Sequence, residues 1–256
     1  MSRRGWIALA GAVVFLWAIR APAAQLPRVV AGIPFILDYL QGMWPPNLRV
    51  LPRLAAPLQE TVQMAVTGIC LSSAIAVPLS FLAARDTSPS SAVYTAIRGV
   101  ITFARAVPTL LWAILFVSMV GLGPLAGAFA LTVHCIGSLG KYFSESIEAM
   151  YPRVTEVLEA MRVDGATRAQ ALLYGLVPAI APLFLSYIVY YFEWAIRTGT
   201  VLGLVGAGGL GLQLTMTIRL FKRQETMTIV LLILSMAALA DLASRAVRRA
   251  VLSQTI

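Results

Sequence analysis

Apolar residues run in long blocks along the chain, separated by short stretches rich in charge, glycine or proline. Blocks of this length with few charges predict membrane-crossing helices. They occupy residues 6–19, 58–84, 108–120, 125–139, 178–196 and about 226–243, which makes about six crossings. The first block follows Arg3-Arg4 and precedes Ala21-Pro22-Ala23, so it mimics a secretory signal peptide. An uncleaved first span is the preferred reading, although the block is short for the roughly 20 residues a crossing helix needs. Prolines at 22, 27, 34, 45, 46, 52 and 57 predict an irregular segment over 21–57, with a short interfacial helix at 33–40. Small residues on the second block (Ala65, Gly68, Ser72, Ser73, Ala76) predict close packing against another helix. Residues 87–105 read as amphipathic, and Gly121-Leu122-Gly123-Pro124 as a tight reversal. The organisation expected is an N-terminal span with a proline-rich outer segment (1–57), then a translocating body (58–249) with a cytoplasmic loop at 145–178.

Composition fixes the class. The chain is 59% hydrophobic and 12% charged, with mean hydropathy +0.82, whereas soluble domains carry about a quarter charged residues. Two cysteines and one histidine supply neither a disulfide framework nor a metal cluster. The net charge of +9 fits the positive-inside rule better than nucleic-acid binding. With both termini in the cytoplasm, inner segments hold 12 of the 20 Lys and Arg residues.

The most informative stretch is 145–178, ESIEAMYPRVTEVLEAMRVDGATRAQALLYGLVP, a charged interlude between apolar blocks. It reads as two short helices around a sharp bend. Gly165 can take the left-handed conformation the bend needs, Ala160 and Ala166 keep its flanks small, and Pro178 suits the first turn of a following helix. Such a small-residue knuckle is a shape for docking into a partner.

This stretch resembles the EAA loop of ABC-importer permeases: Glu-Ala-Ala, then a spaced Gly, then Ile-x-Leu-Pro. Glu159, Ala160, Gly165 and Pro178 fall in register, while Met161, Gly175 and Val177 stand at the third, Ile and Leu positions. In that family the loop is the coupling helix seated on the ATP-hydrolysing subunit. Further stretches are similar to phosphonate-importer permeases, notably His134-Cys135-Ile136-Gly137-Ser138-Leu139-Gly140-Lys141 and Phe192-Glu193 with Ile196-Arg197. Ala195 departs from the polar residue expected there.

The resemblance implies an all-α membrane protein of about six transmembrane helices, with the type I importer fold of methionine-importer permeases. It implies a second permease copy (homodimer or close heterodimer), two ATP-binding subunits on the cytoplasmic side, and an extracellular or periplasmic substrate-binding protein. ATP and Mg would be bound by the partner ATPase and no cofactor by this chain. The implied place is the bacterial inner membrane, and the substrate a phosphonate, phosphite or phosphate ester. An ABC permease for methionine or another small solute is the alternative within the class. A secondary transporter would call for internal repeats and intramembrane carboxylates, which the sequence does not clearly display. A non-transporting scaffold would leave the Glu-Gly-Pro register without a reason.

Several residues have competing roles. Glu159, Ala160, Met161, Asp164, Gly165, Ala166 and Pro178 are the candidates for ATPase coupling, with Asp164 either holding the bend or facing the ATPase. His134 either hydrogen-bonds a passing anion or makes a helix–helix contact, and Ser138 and Thr132 are placed along the pathway. Arg197 either attracts an oxyanion or pairs with Glu193, one turn away; the pair is favoured. Lys141 reads as a snorkelling boundary residue. Gly206-Ala207-Gly208-Gly209-Leu210-Gly211 matches G-x-G-x-x-G, but its flanks are apolar helices and not the strands of a dinucleotide fold. Gly206, Gly208, Gly209 and Gly211 are therefore expected to form a flexible outer turn or gate, followed by a basic loop with Arg219, Lys222 and Arg223. Gly137–Lys141 lacks the first glycine and the hydroxyl of a phosphate loop. No nucleophile–base set or metal-ligand spacing is visible, so no catalytic residue is assigned.

Overall fold

The structure, a computed structural model, describes residues 3–252, without the side chains of 3–5, 7–10, 21–23 and 250–252. The Arg3-Arg4 and Ala21-Pro22-Ala23 side chains of the leader-like pattern thus lie outside the described residues. The chain divides after Pro46 into two units. The first is a single helix, α1 (Arg3–Met43), bent by 40° between 11–20 and 24–43. Pro22 lies at this bend, as expected where a proline removes one hydrogen bond. Residues 21–43 are therefore helical, contrary to the irregular segment expected, and 33–40 is the end of the same helix. In an apolar run, free backbone groups cost more than a kink.

The second unit begins with Asn47, whose side chain accepts from Arg49 N at 3.2 Å and leads through a short 3-10 turn into α2 (Leu51–Ala83). Pro52 fits the first turn, so α2 starts at Leu51 rather than near 58. There follow α3 (Ser91–Ala106), α4 (Thr109–Val120) and α5 (Pro124–Val163). After α5 come α6 (Arg168–Ala171), a π-turn (Leu172–Leu176), α7 (Val177–Leu202), α8 (Gly209–Arg219) and α9 (Arg223–Leu252).

α2 and α5 form the centre. The expected small-residue face is buried: a Cβ at Gly68 would lie 2.8 Å from Leu131 Cβ, and Ala65, Ser72 and Ala76 flank it in the core. α3 crosses α5 at Gly137, where an added Cβ would stand 2.6 Å from Arg105 N. α3 and α4 meet at 87°. Pro108 holds Val107 extended, which ends the helix, and Trp112 Nε1 donates across the corner to Ala104 O at 3.1 Å. The stretch read as a third crossing is thus only 12 residues of helix, about 18 Å long, meeting α3 at a right-angled corner.

Among the described residues three helical stretches are long and apolar enough to cross a membrane, 48–83, 168–205 and 223–249, or up to five if each bent pair counts as one span. α5 is long but its apolar half is diluted by His134, Ser138, Lys141 and glycines. The chain between Gly203 and Arg223 is not the flexible turn and basic loop expected; α8 fills most of it.

Candidate functional site

Three places carry the residues singled out by the sequence. The first is the elbow after α5. α5 runs unbroken from Pro124 to Val163 over 40 residues, so the first of the two expected short helices is the far end of a crossing helix. The bend itself is as expected. Gly165 has φ +91°, its N–H donates to Arg162 O at 3.1 Å, and Ala166 N donates to Met161 O at 3.0 Å. This is the paired closure of a Schellman end, which a left-handed glycine permits. Thr167 then starts α6 with a reciprocal capping box: Gln170 N donates to Thr167 Oγ1 at 3.3 Å, and Thr167 N donates to Gln170 Oε1 at 2.9 Å. Four consecutive residues, Asp164 to Thr167, thus satisfy both helix ends locally and make a stiff corner.

Pro178 stands in the first turn of α7, as expected. It follows the π-turn, in which Val177 N reaches back to Leu172 O, and the wider turn makes room for a ring that would clash with the carbonyl four residues earlier. Two of the three departures from the family pattern, Met161 and Gly175, meet here. A Cβ at Gly175 would lie 2.7 Å from Leu158 Cδ2 and 3.5 Å from Met161 Sδ. Leu158 therefore occupies the space that the missing side chain at 175 leaves open, and Met161 lies beside it.

The outer surface of the elbow is bare. Glu159, Ala160, Asp164 and Gly165 are exposed, and neither acid has an ion-pair partner among the described residues. Val163 is 87% exposed and Tyr174 67%. Behind it, contacts the sequence did not single out tie the elbow to the bundle. Glu148 accepts from Arg85 N at 2.9 Å and from Arg98 Nη2 at 2.8 Å. Arg98 Nε also donates to Ala83 O at 3.0 Å, and Arg168 Nη2 to Asp86 O at 3.2 Å. Glu148 and Arg98 sit 50 residues apart, and no local pattern announces such a pair.

The second place is the glycine cluster, at the opposite end of α7. Gly206, Gly208 and Gly209 have φ of +89°, +80° and +67°, which side-chain-bearing residues rarely adopt. Gly211 packs so close that a Cβ would lie 1.8 Å from Thr200 O. α2 caps the start of α8: Gly209 N donates to Glu60 Oε2 and Leu210 N to Thr61 Oγ1, each at 2.9 Å. Gly123 N donates to Gly206 O at 3.0 Å. The turn is therefore clamped by α2 and by the start of α5, where flexibility was expected. Glu60 and Thr61 escaped notice because their partners lie 149 residues away.

The third place is a polar seam between α5 and α7. His134 stacks on Trp194 with ring centroids 5.0 Å apart, and Tyr142 on Tyr187 at 5.2 Å. His134 Nδ1 is buried without a hydrogen-bond partner. Ser138 is buried close to Tyr191; Thr132 is also buried, bonding back to Ala128 O at 2.8 Å. Glu193 is 5% exposed and pairs with Arg197 one turn on. Lys141 pairs with Glu145, one turn on, at 3.4 Å. His134 and Ser138 of α5 thus meet Trp194 and Tyr191 of α7, whereas Glu193 and Arg197 form a separate group with Arg248 of α9.

Known proteins agree with this architecture. Residues 76–253 match the family described as binding-protein-dependent transport system inner membrane component. The phosphite transport system permease protein PtxC of Stutzerimonas stutzeri is 34% identical over 96% of this chain and 88% of its own length. The phosphate-import permease protein PhnE of Mycolicibacterium smegmatis is 40% identical over 94% of this chain, which spans 44% of that protein. Among solved structures, the inward-facing methionine ABC transporter MetNI contains a chain with TM-score 0.67 and 21% identity, covering 80% of this chain and 99% of that one. At that identity the likeness speaks for the fold. The chain thus belongs to the binding-protein-dependent transport system inner membrane component family, the permeases of ABC importers, and is a transport subunit whose ATPase is a separate protein.

Proposed function

We propose that this chain, with a second permease copy, forms the path by which phosphonates, phosphite or related phosphorus oxyanions enter the cell. The observation that carries the reading is the likeness to a phosphite permease along nearly the full length of both chains. Residues 58–249 would be the translocating body, with both termini and the elbow in the cytoplasm.

On this reading Glu159, Ala160, Met161, Asp164, Gly165 and Ala166 seat the elbow on the ATP-binding subunit. Its bare outer surface and its two acids without ion partners support that role. Each of two ATPases, holding ATP and Mg, would push one elbow as it closes. Because the corner is locally hydrogen-bonded, displacement passes into α5 and α7 instead of being absorbed by bending. Both helices line the polar seam, so its access would switch between the two faces. The glycine clamp at Gly206, Gly208, Gly209 and Gly211 would hold the outer ends of α2, α5 and α7 together while this happens. The binding protein would deliver substrate on that side.

The test is uptake into vesicles holding this chain, its ATPase and its binding protein. Uptake of labelled phosphite or methylphosphonate that requires ATP and the binding protein is expected. Uptake of methionine alone would redirect the assignment.

A further inference from the structure

Glu193 lies in an apolar span, in the stretch 168–205. A buried carboxylate is tolerated only where it is paired. Its Oε1 accepts from Arg197 Nη2, and its Oε2 faces Arg248 Nη2 of α9 at 3.9 Å. Two guanidinium groups against one carboxylate leave the cluster with one net positive charge. Glu193 engages a single terminal nitrogen of each, while a guanidinium carries five N–H donors in a fork suited to a tetrahedral oxyanion. Donor capacity and charge are therefore both in excess.

The surroundings favour an aqueous ligand. The Arg197 side chain is 57% exposed and that of Arg248 31%. A guanidinium at span depth does not face hydrocarbon, so this side opens on water or on a second copy. A cavity of about 290 Å³ adjoins Arg248, walled by Tyr142, Tyr187 and Tyr190.

We propose that Arg197 and Arg248 form a binding site for the transported oxyanion, with Glu193 as its resident counter-anion. A monoanion brings the cluster to neutrality without expelling Glu193. The carboxylate thereby keeps binding weak enough for release, while both arginines stay oriented and paired in the empty state. This rests on the reading of the chain as a phosphorus oxyanion permease.

The assembled transporter in nanodiscs, without binding protein, is titrated with labelled phosphite and methylphosphonate, and ATP-driven uptake is measured in vesicles. Arg197→Gln and Arg248→Gln are expected to weaken binding about tenfold or more, as loss of a bidentate charge contact does. Glu193→Gln is expected to tighten binding by about tenfold and to slow maximal uptake, because the excess positive charge holds the anion. Arg248→Lys should recover part of the affinity. If wild type takes up phosphite but all the variants bind it with unchanged affinity, the site falls and the permease reading stands. The same holds if every variant only lowers thermal stability. If wild type takes up neither phosphorus compound, the substrate reading falls and this site with it.

Discussion

The elbow at 164–167 and the glycine clamp at 206–211 are both turns between helices, and both depend on left-handed glycines. They are held together in opposite ways. Every cap of the elbow comes from within a few residues, and its outer surface is exposed. The clamp closes the end of α7 locally, through Gly206 N to Gly203 O and Ala207 N to Leu202 O, but takes the caps of α8 from Glu60 and Thr61 and a further bond from Gly123, all far away in sequence, and much of it is buried. A turn with local bonds keeps its shape when its surroundings change, which suits a part that must engage and move with a partner. A turn with borrowed bonds fixes the surrounding helices to one another. One is built as a lever and the other as a pivot.

The contrast can be broken by substitution. Gly211→Val should do the most damage, since a Cβ there meets Thr200 O at 1.8 Å and backbone cannot yield. Loss of folded protein from the membrane fraction is expected, consistent with overpacking costs of about 3 kcal/mol or more. Gly165→Arg should instead leave the protein level near normal, because nothing lies within 4 Å of a Cβ there. Even with about 1–2 kcal/mol of left-handed strain, its main effect should be uncoupling, with ATP hydrolysis continuing and uptake lost. Glu60→Ala removes a charge-assisted cap from Gly209 N and should lower stability by about 1.5–3 kcal/mol, read as a fall in melting temperature. Glu60→Gln should recover part of it. The smallest effect is expected from Thr167→Ala, about 1 kcal/mol of cap energy on a short helix, seen as faster amide exchange at Ala169 and Gln170 and little change in uptake.

The same contrast explains what could be read in advance. The elbow was legible because its rules are short-range, an acid, small residues and a glycine at fixed offsets, although the equally local capping box of Thr167 with Gln170 went unread. The Ala65–Ala76 face was legible because small residues at helical spacing have one common use. The pairing of Glu193 with Arg197 follows from a one-turn separation. By contrast, Arg248 joins that pair from 55 residues away, and Glu148 with Arg98 or Glu60 with Gly209 meet only through the packing of α2, α3, α5 and α8. The helical path of 21–43 was misread because prolines were weighed as breakers without the cost of bare backbone in an apolar run. The continuity of α5 into the elbow was missed because a shift from apolar to charged residues marks a change of surroundings, which a helix can pass through unbroken.

The central claim is that the elbow bears on a separate ATPase in the cytoplasm. Its most direct measurement is crosslinking from Glu159→Cys, in a chain whose exposed Cys70 has been changed to Ser, within the assembled transporter. A crosslink to the ATP-binding subunit whose yield changes on adding ATP is the predicted result. A cysteine at 159 that reaches no ATPase subunit, and is instead labelled by an impermeant maleimide from outside the cell membrane, would contradict it.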